Sequence, residues 1–510
     1  MAYCAVYLNR ISREKNCPEK PEDPLIIEKC IPHDARFSFV DFVPSVHHFS
    51  ANSQVEYHSF RHLVDTCNVW LKKNILWDVV NCETVKLSYR HNLTTMVSRW
   101  EVQTNPAANP WVTPTRGDFE TSLKVLRVWI KRRDEERDAP VELKYKDFEP
   151  IRKDGSFDNL DDVVNRINDQ IRSKELTGSR LITIEALNVV ANGEWRIDTE
   201  LSVADESVRH VTIIRVFYES SVGGVGGDNG LFNEHIGIAD FTPHHLSGGS
   251  LFKRPHFESF SSIIDRASQW LSDNPEINFL NAQSIDIKLK SLTKVDTRVC
   301  SHTEHGDYIH ILRVAYTKPF EHLLGGQTSA DNTSNSSRTA DNQSIGWPTG
   351  PPPPAPIYLS SKVFLVSKQD ILDDVHHKIN NWVKDSSQMD ERFKSRIMSA
   401  ETVQVFAKDG DDRNLCRALE QTFQCNRLGL MNTFAFNAIR VYFDVGFYGR
   451  NRSMSTMPTV PLVPIGPVAG LPSSSAVLLA NCDDNSITGA TAASGSPYEY
   501  RSRSTSCTCM

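Results

Sequence analysis

An arginine and a carboxylate or amide recur at matching places along this chain, and these residue types suit ion pairing or anion binding. The arginines open apolar, aromatic-rich runs: Arg127-Val128-Trp129, Arg215-Val216-Phe217-Tyr218, Arg313-Val314-Ala315-Tyr316 and Arg440-Val441-Tyr442-Phe443. Upstream of each stands Glu or Gln followed by a small residue: Glu83-Thr84, Glu185-Ala186, Gln283-Ser284 and Glu401-Thr402. Residues two apart on a strand share a face, so Arg127 lies with Val125 and Trp129 while Val128 points away. If the two segments of each copy pair, Arg127 meets Glu83, Arg215 meets Glu185, Arg313 meets Gln283 and Arg440 meets Glu401. A bidentate contact would then pin the strand register. The alternative is a set of arginines that bind phosphate or a partner's carboxylate. The structural reading is favoured because buried charges persist when paired. Gln283 fits it as well, since an amide can accept a hydrogen bond but cannot replace a catalytic carboxylate.

Histidines offer less. The adjacent pairs His47-His48, His244-His245 and His376-His377 point to different faces of a strand or helix and chelate poorly. His302, Glu304, His305 and His310 form a looser cluster without the helical His-Glu-x-x-His spacing of a metalloprotease. No Gly-x-Ser-x-Gly elbow and no phosphate-binding Gly-x-x-x-x-Gly-Lys-Ser/Thr loop occurs. No catalytic, cofactor-binding or metal-ligating residue is assigned, and no cofactor is expected.

The elements that hold the arginines recur with them. Asp-Phe-x-Pro stands at Asp41, Asp147 and Asp240, and the fourth copy keeps only Val363-Phe364-Leu365-Val366. A helical stretch follows, ending near Trp70, Gln170, Trp270 and Trp382. Its apolar stripe is Phe60, Leu63, Val64, Cys67, Trp70 and Leu71 in the first copy. Leu160, Val163, Val164, Ile167 and Ile171 form it in the second, and Phe260, Ile263, Ile264, Ala267, Trp270 and Leu271 in the third. Leu372, Val375, Ile379, Trp382 and Val383 complete the set. Ser59, Asp158 or Asn159, Ser259 and Asp370 are the expected helix caps. Val79 to Leu87 and Leu123 to Ile130 read as strands.

The expected fold is α+β: four tandem strand–helix–strand–strand modules, each a small sheet covered by one helix on a single face. The modules span 36–133, 140–219, 234–318 and 357–448, after an N-terminal segment at 1–35. A Gly-rich joint at 220–233 and a disordered Ser/Asn/Pro-rich linker at 324–356 would allow independent motion, and a disordered tail fills 449–510. Loss of Asp-Phe-x-Pro places the fourth module at an end of the array.

The chain has 510 residues, 39% of them hydrophobic and 23% charged, with a net charge of −7. No basic stripe is interleaved with stacking aromatics, so nucleic acid is not an expected partner. No apolar run is long enough to span a bilayer, and Met1 to Lys15 lacks the apolar region of a signal peptide. The 11 cysteines include no Cys-x-x-Cys pair, against a disulfide framework or a zinc ribbon. A cytoplasmic protein is expected.

Two segments suggest partners. Pro351, Pro352, Pro353 and Pro354 suit a polyproline helix that docks into an SH3, WW or EVH1 domain, and Pro458, Pro461, Pro464 and Pro467 repeat its three-residue turn. The last four residues, Cys507-Thr508-Cys509-Met510, resemble a C-a-a-X box with farnesyl on Cys507, and Cys482 is a candidate acylation site. One lipid chain binds membrane reversibly, so this would be peripheral contact. The expected function is therefore a non-enzymatic scaffold or adaptor that binds protein partners in signalling, recruited to a membrane surface by lipidation. The alternatives are a hydrolase or metal-dependent enzyme with a site between modules near His47, His244 and His305, and a phosphate or phosphoinositide sensor built on the arginines.

Overall fold

The structure, a computed structural model, describes residues 23–28, 31–49, 55–90, 112–114, 120–137, 141–192, 194–204, 209–221, 232–248, 255–291, 294–303, 307–320, 356–365, 372–389, 396–407, 412–424 and 434–445. All of them lie in one compact unit, Met1–Leu462. The fold is α+β and sheet-rich, and every strand pair is antiparallel.

Four antiparallel sheets share a plan. The first contains β1 (Phe37–Val43), β2 (Trp77–Arg90) and β3 (Glu120–Arg132), with helix α1 (Phe60–Lys73) between β1 and β2. The second has β4 (Val141–Phe148), α2 (Leu160–Arg172), β5 (Arg180–Val190) and β6 (Arg209–Ser221). The third has β7 (Glu234–Phe241), α3 (Phe260–Asp273), β8 (Asn278–Ser291) and β9 (Tyr308–Pro319). The fourth has β10 (Leu359–Phe364), α4 (Leu372–Met389), β11 (Ile397–Ala407) and β12 (Phe434–Asp444), and adds α5 (Asp412–Glu420). In each, the last strand is central, flanked by the first strand on one side and the second on the other. The second strands, β2, β5, β8 and β11, will be called the inner strands.

Local sequence accounts for the helices. Ser59, Asn159 and Ser259 cap α1, α2 and α3 by accepting from the amides of His62, Asp162 and Ser262, satisfying donors that a first turn leaves open. Asp162 returns a bond to the Asn159 amide, which makes a capping box. The expected stripes of α1 and α2 are buried in full. In α3 Trp270 is only partly covered, and in α4 Val375, Ile379 and Val383 are buried. Asp370 lies outside the described residues.

The expectation of one buried face per sheet fails. All seven residues of β1 are buried, which requires cover on both sides. The cover comes from the helix of the preceding sheet. Phe37, Phe39, Val125 and Trp129 pack with Val375, Ile379 and Val383 of α4, while Val40, Phe42, Leu126 and Val128 pack with α1. Helix α1 in turn meets Leu143, Ile182 and Phe217 of the second sheet, α2 meets Ile236 and Ala315 of the third, and α3 meets Leu359 and Tyr442 of the fourth. Each helix is a wedge between its own sheet and the next, and α4 closes the cycle onto the first.

Short strands follow the same order in reverse. Val203–Ala204 extends the first sheet by pairing with β3, Ser301–Thr303 pairs with β6, and Phe423–Gln424 pairs with β9. Val112–Pro114, from the insert between β2 and β3, pairs with β12. The fourth sheet therefore touches both the third and the first, and it is not an end. Shared cores also connect the second sheet to the third and the third to the fourth.

Asn68 shows how a helix is fixed to the next sheet. Its side chain donates to the carbonyl of Leu143 at 2.9 Å and accepts from the Leu143 amide at 2.7 Å. Asn168 treats Ile236 in the same way, at 2.9 and 2.7 Å. A carboxamide has the donor and acceptor of a peptide group, so it pairs with the strand as another strand would. Asn68→Ala leaves both Leu143 groups buried without partners and is expected to cost about 2 kcal/mol in urea unfolding. Val69→Ala, on the exposed side of α1, should stay within about 0.5 kcal/mol of the parent.

Candidate functional site

The recurring arginines sit on the central strands, each facing one residue on either flanking strand. Register places Glu83 opposite Arg127, Glu185 opposite Arg215, Gln283 opposite Arg313 and Glu401 opposite Arg440. On the other flank the aspartate of Asp-Phe-x-Pro is also in register: Asp41 with Arg127, Asp147 with Arg215 and Asp240 with Arg313. The bidentate contact expected of the glutamates is made by these aspartates. Arg127 donates through Nε and Nη2 to Asp41 at 2.7 and 2.6 Å, Arg215 to Asp147 at 2.7 and 2.8 Å, and Arg313 to Asp240 at 2.7 and 2.9 Å. A short acid directly alongside fits the guanidinium fork. In the fourth sheet Val363 takes the aspartate's place opposite Arg440. There Arg440 turns to Glu401 at 3.1 Å, and its Nε has no hydrogen-bond partner.

The glutamates reach across to the preceding sheet instead. Glu185 accepts from the amide and hydroxyl of Thr84 at 2.6 and 2.8 Å. Glu401 accepts from the amide and hydroxyl of Ser284, both at 2.6 Å. Glu83 accepts from those of Thr402 at 2.8 and 2.6 Å, and Gln283 from the amide of Ala186 at 2.8 Å. These amides lie on the unpaired edges of the inner strands, and an uncovered edge invites mispairing. A side-chain acceptor from the next sheet closes each one. The residue types match the donors on offer: Glu where the neighbour brings an N–H and an O–H, Gln where Ala186 brings an N–H alone.

A second tier supports the first. Asn281 donates to the carbonyl of Ile184 at 3.1 Å and accepts from its amide at 3.0 Å, and Thr183 accepts from the amide of Cys82 at 2.9 Å. The arginines tie the two flanks together, since Arg127 donates Nη1 to the Thr402 hydroxyl at 2.8 Å, Arg215 to Thr84 at 3.2 Å and Arg440 to Ser284 at 2.5 Å. All four are buried, between 0% and 3% exposed.

Burial raises the carboxyl of Glu83 to about 7, against the pull of Arg127 and the Thr402 and Trp129 donors, and it raises Glu185 as well. A carboxyl that binds its proton more tightly when folded takes up protons on folding between its ordinary value, near 4.5, and 7. Stability from Glu83 therefore falls as pH rises through that window and levels off above it. Glu83→Gln should flatten that part of the stability–pH curve, read as urea midpoints from pH 4.5 to 8. An unchanged slope would show that Glu83 does not titrate there.

The remaining candidates scatter. His376 is buried on α4 against the Ser38 hydroxyl at 2.7 Å, and burial holds its imidazole down to about 3, so it is neutral. His244 is exposed beside Glu258, and His310 pairs with Asp286 at 2.8 Å. His47 and His48 lie on the short strand Val46–Phe49, whereas Glu304 and His305 are outside the described residues. Among the described residues, no group of three or more His, Cys, Asp or Glu could hold a metal ion. Pro351, Pro352, Pro353, Pro354, Cys482 and Cys507 also lie outside them. No described helix is long and apolar enough to cross a membrane.

Two cavities accompany the network. One, of about 560 Å³, is bordered by the starts of all four inner strands, with Asp78 and Arg180 among its walls. Arg137 bridges Asp78 and Glu219 beside it, and Glu219 also holds Arg180 at 2.9 Å. The other, of about 490 Å³, lies between the second and third sheets. Sequence reasoning missed both, along with the aspartates' role. The aspartate signal was present, because Asp-Phe-x-Pro is lost in the same copy whose arginine lacks an aspartate partner. The chain matches no family model, no curated protein and no solved structure in the comparisons made.

Proposed function

We propose that the chain is a closed cycle of four copies of one strand–helix–strand–strand module and that it serves as a non-enzymatic scaffold or adaptor. The observation that carries this reading is where the recurring polar residues go. Asp, Arg and Glu or Gln, the chemistry that the copies have in common, are committed to holding one sheet on the next. What differs between copies is the connecting segments, and variable loops on a repeated frame are where partner-specific contacts sit. Closure leaves no terminal repeat to cap.

Protein partners follow from this reading. Docking of Pro351 to Pro354 on an SH3, WW or EVH1 domain, and peripheral membrane contact through a prenyl group on Cys507, belong to the same proposal and rest on sequence. A phosphoinositide sensor built on the set of arginines is disfavoured, because Arg127, Arg215 and Arg440 are buried, covered by aromatic rings and bonded to hydroxyl oxygens of the neighbouring sheet. The purified full chain, screened against ester, phosphomonoester and peptide substrates with and without added zinc, should show no turnover above buffer. Turnover that is lost in His302→Ala would replace the scaffold with the hydrolase. Mass spectrometry of the C-terminal peptide from cells tests the membrane element: an unmodified Cys507, with the chain absent from the membrane fraction, would remove it.

A further inference from the structure

Interfaces between successive sheets are built alike, yet the one between the second and third sheets is assembled from smaller residues. Where α1 and α3 begin with Phe60 and Phe260, α2 begins with Leu160. Where the neighbouring interfaces have Lys124, His310 and Asn437 three residues before the arginine, this one has Thr212. Ala186 replaces the hydroxyl residues Thr84, Ser284 and Thr402, and Gln170 replaces the tryptophan at the helix end. Each exchange removes volume or a hydrogen bond; the leucine start recurs at Leu372 of α4, whereas the other three exchanges fall on this interface alone.

The cavity of about 490 Å³ opens there, with Leu160, Thr212, Trp195, Ile285, Ile287 and Arg313 among its walls. Ile285 and Ile287 are only partly covered, whereas Leu187, Val189, Val403 and Val405, at matching points of β5 and β11, are buried. Trp195 holds a left-handed backbone (φ 64°), a conformation costly for a bulky residue, and is braced by the Arg209 guanidinium at 5.3 Å and the Phe157 ring at 5.6 Å.

The neighbouring interfaces indicate what fits. The Arg215 guanidinium lies 3.8 Å from the centre of the Phe60 ring, and that of Arg440 lies 4.1 Å from Phe260. Each of these arginines also donates Nη1 to a hydroxyl oxygen of the preceding inner strand. At Arg313 the chain supplies neither the ring, because Leu160 stands there, nor the hydroxyl, because Ala186 stands there. We propose that this cavity is a binding site for a small planar aromatic acid. Its ring takes the place of the missing phenyl group against the Arg313 guanidinium, and its acidic oxygen takes the place of the missing hydroxyl. Ile285, Ile287 and Trp195 supply apolar walls, and the volume is in the range of small-molecule sites. The inference rests on the equivalence of the four interfaces.

The test uses the full chain and 8-anilinonaphthalene-1-sulfonate, an aromatic anion whose fluorescence reports binding, with 1-naphthoate as competitor. One saturable site is expected, displaced by 1-naphthoate and weakened at least about tenfold in Leu160→Phe, which restores the neighbours' ring from within. Thr212→His, the residue of the next interface, should weaken it similarly if Leu160→Phe fails to fold. Absence of a saturable site in the parent chain, or equal affinity in a folded filling variant, overturns the site. Equivalence of the interfaces is measured separately, by coupling between positions 186 and 283, so failure of the pocket and failure of the cyclic reading are distinguishable.

Discussion

Arg215→Ala is expected to lower the unfolding free energy by about 3–5 kcal/mol, a large share of the roughly 5–15 kcal/mol that holds an ordinary protein folded. Arg215 is fully buried and holds Asp147 through two bonds, the Thr84 hydroxyl through a third and the Thr199 carbonyl through a fourth. Alanine would leave the Asp147 and Glu185 carboxylates in an apolar setting without their cation, together with a void over the Phe60 ring. Lysine is no remedy, because it cannot present the fork that Asp147 accepts. The same change at Arg440 should cost less, since its Nε is already unpartnered and Val363 offers no charge to strand. Urea midpoints at pH 7, followed by tryptophan fluorescence, would measure both. An Arg215→Ala chain that melts like the parent but loses a partner would make the arginine a binding residue. The ranking of the two sites also distinguishes a paired-charge network from generic packing, which would penalise them equally.

Parts of this architecture can be read in the chain and parts cannot, for identifiable reasons. Helical periodicity and the serine and asparagine caps are local signals, and α1, α2 and α3 begin at the residues those signals mark. Register between inner and central strands follows from the recurring Glu and Arg, because two adjacent antiparallel strands leave few ways to align them. The partner of each arginine is harder, since a central strand has two flanks and the helix between β1 and β2 hides which neighbour lies on which side. What the glutamates do is beyond local reading altogether. They bind the preceding sheet, and a recurring pattern carries no record of which sheet faces which. The same holds for burial of both faces of β1, whose sequence interrupts its apolar residues with Ser38 and Asp41. Helix α5 was missed because Leu415 and Leu419, four residues apart, are a short stripe within a connecting segment.

Gln283→Glu alone is expected to destabilise the chain by about 1–3 kcal/mol, and Ala186→Thr in the same chain should recover most of that loss. The carboxylate would enter a half-buried site with a single N–H, that of Ala186, where the other three interfaces provide an N–H and a hydroxyl. Threonine at 186 supplies the missing hydroxyl and also gives Arg313 the acceptor that Thr402, Thr84 and Ser284 give the other arginines. Ala186→Thr by itself should be nearly neutral, since its hydroxyl can donate to the Gln283 oxygen. A coupling of about 1–3 kcal/mol between the two positions is the expected result of the cycle, against additivity within about 0.5 kcal/mol for residues that do not share a partner. Additive effects would separate Glu83, Glu185 and Glu401 from Gln283 and break the equivalence of the four interfaces. A strong coupling would mean that two residues 97 apart in sequence have diverged together, with one interface giving up a charge and a hydroxyl in step. That outcome would tie the loss of polar contacts there to the opening of the cavity beside Arg313.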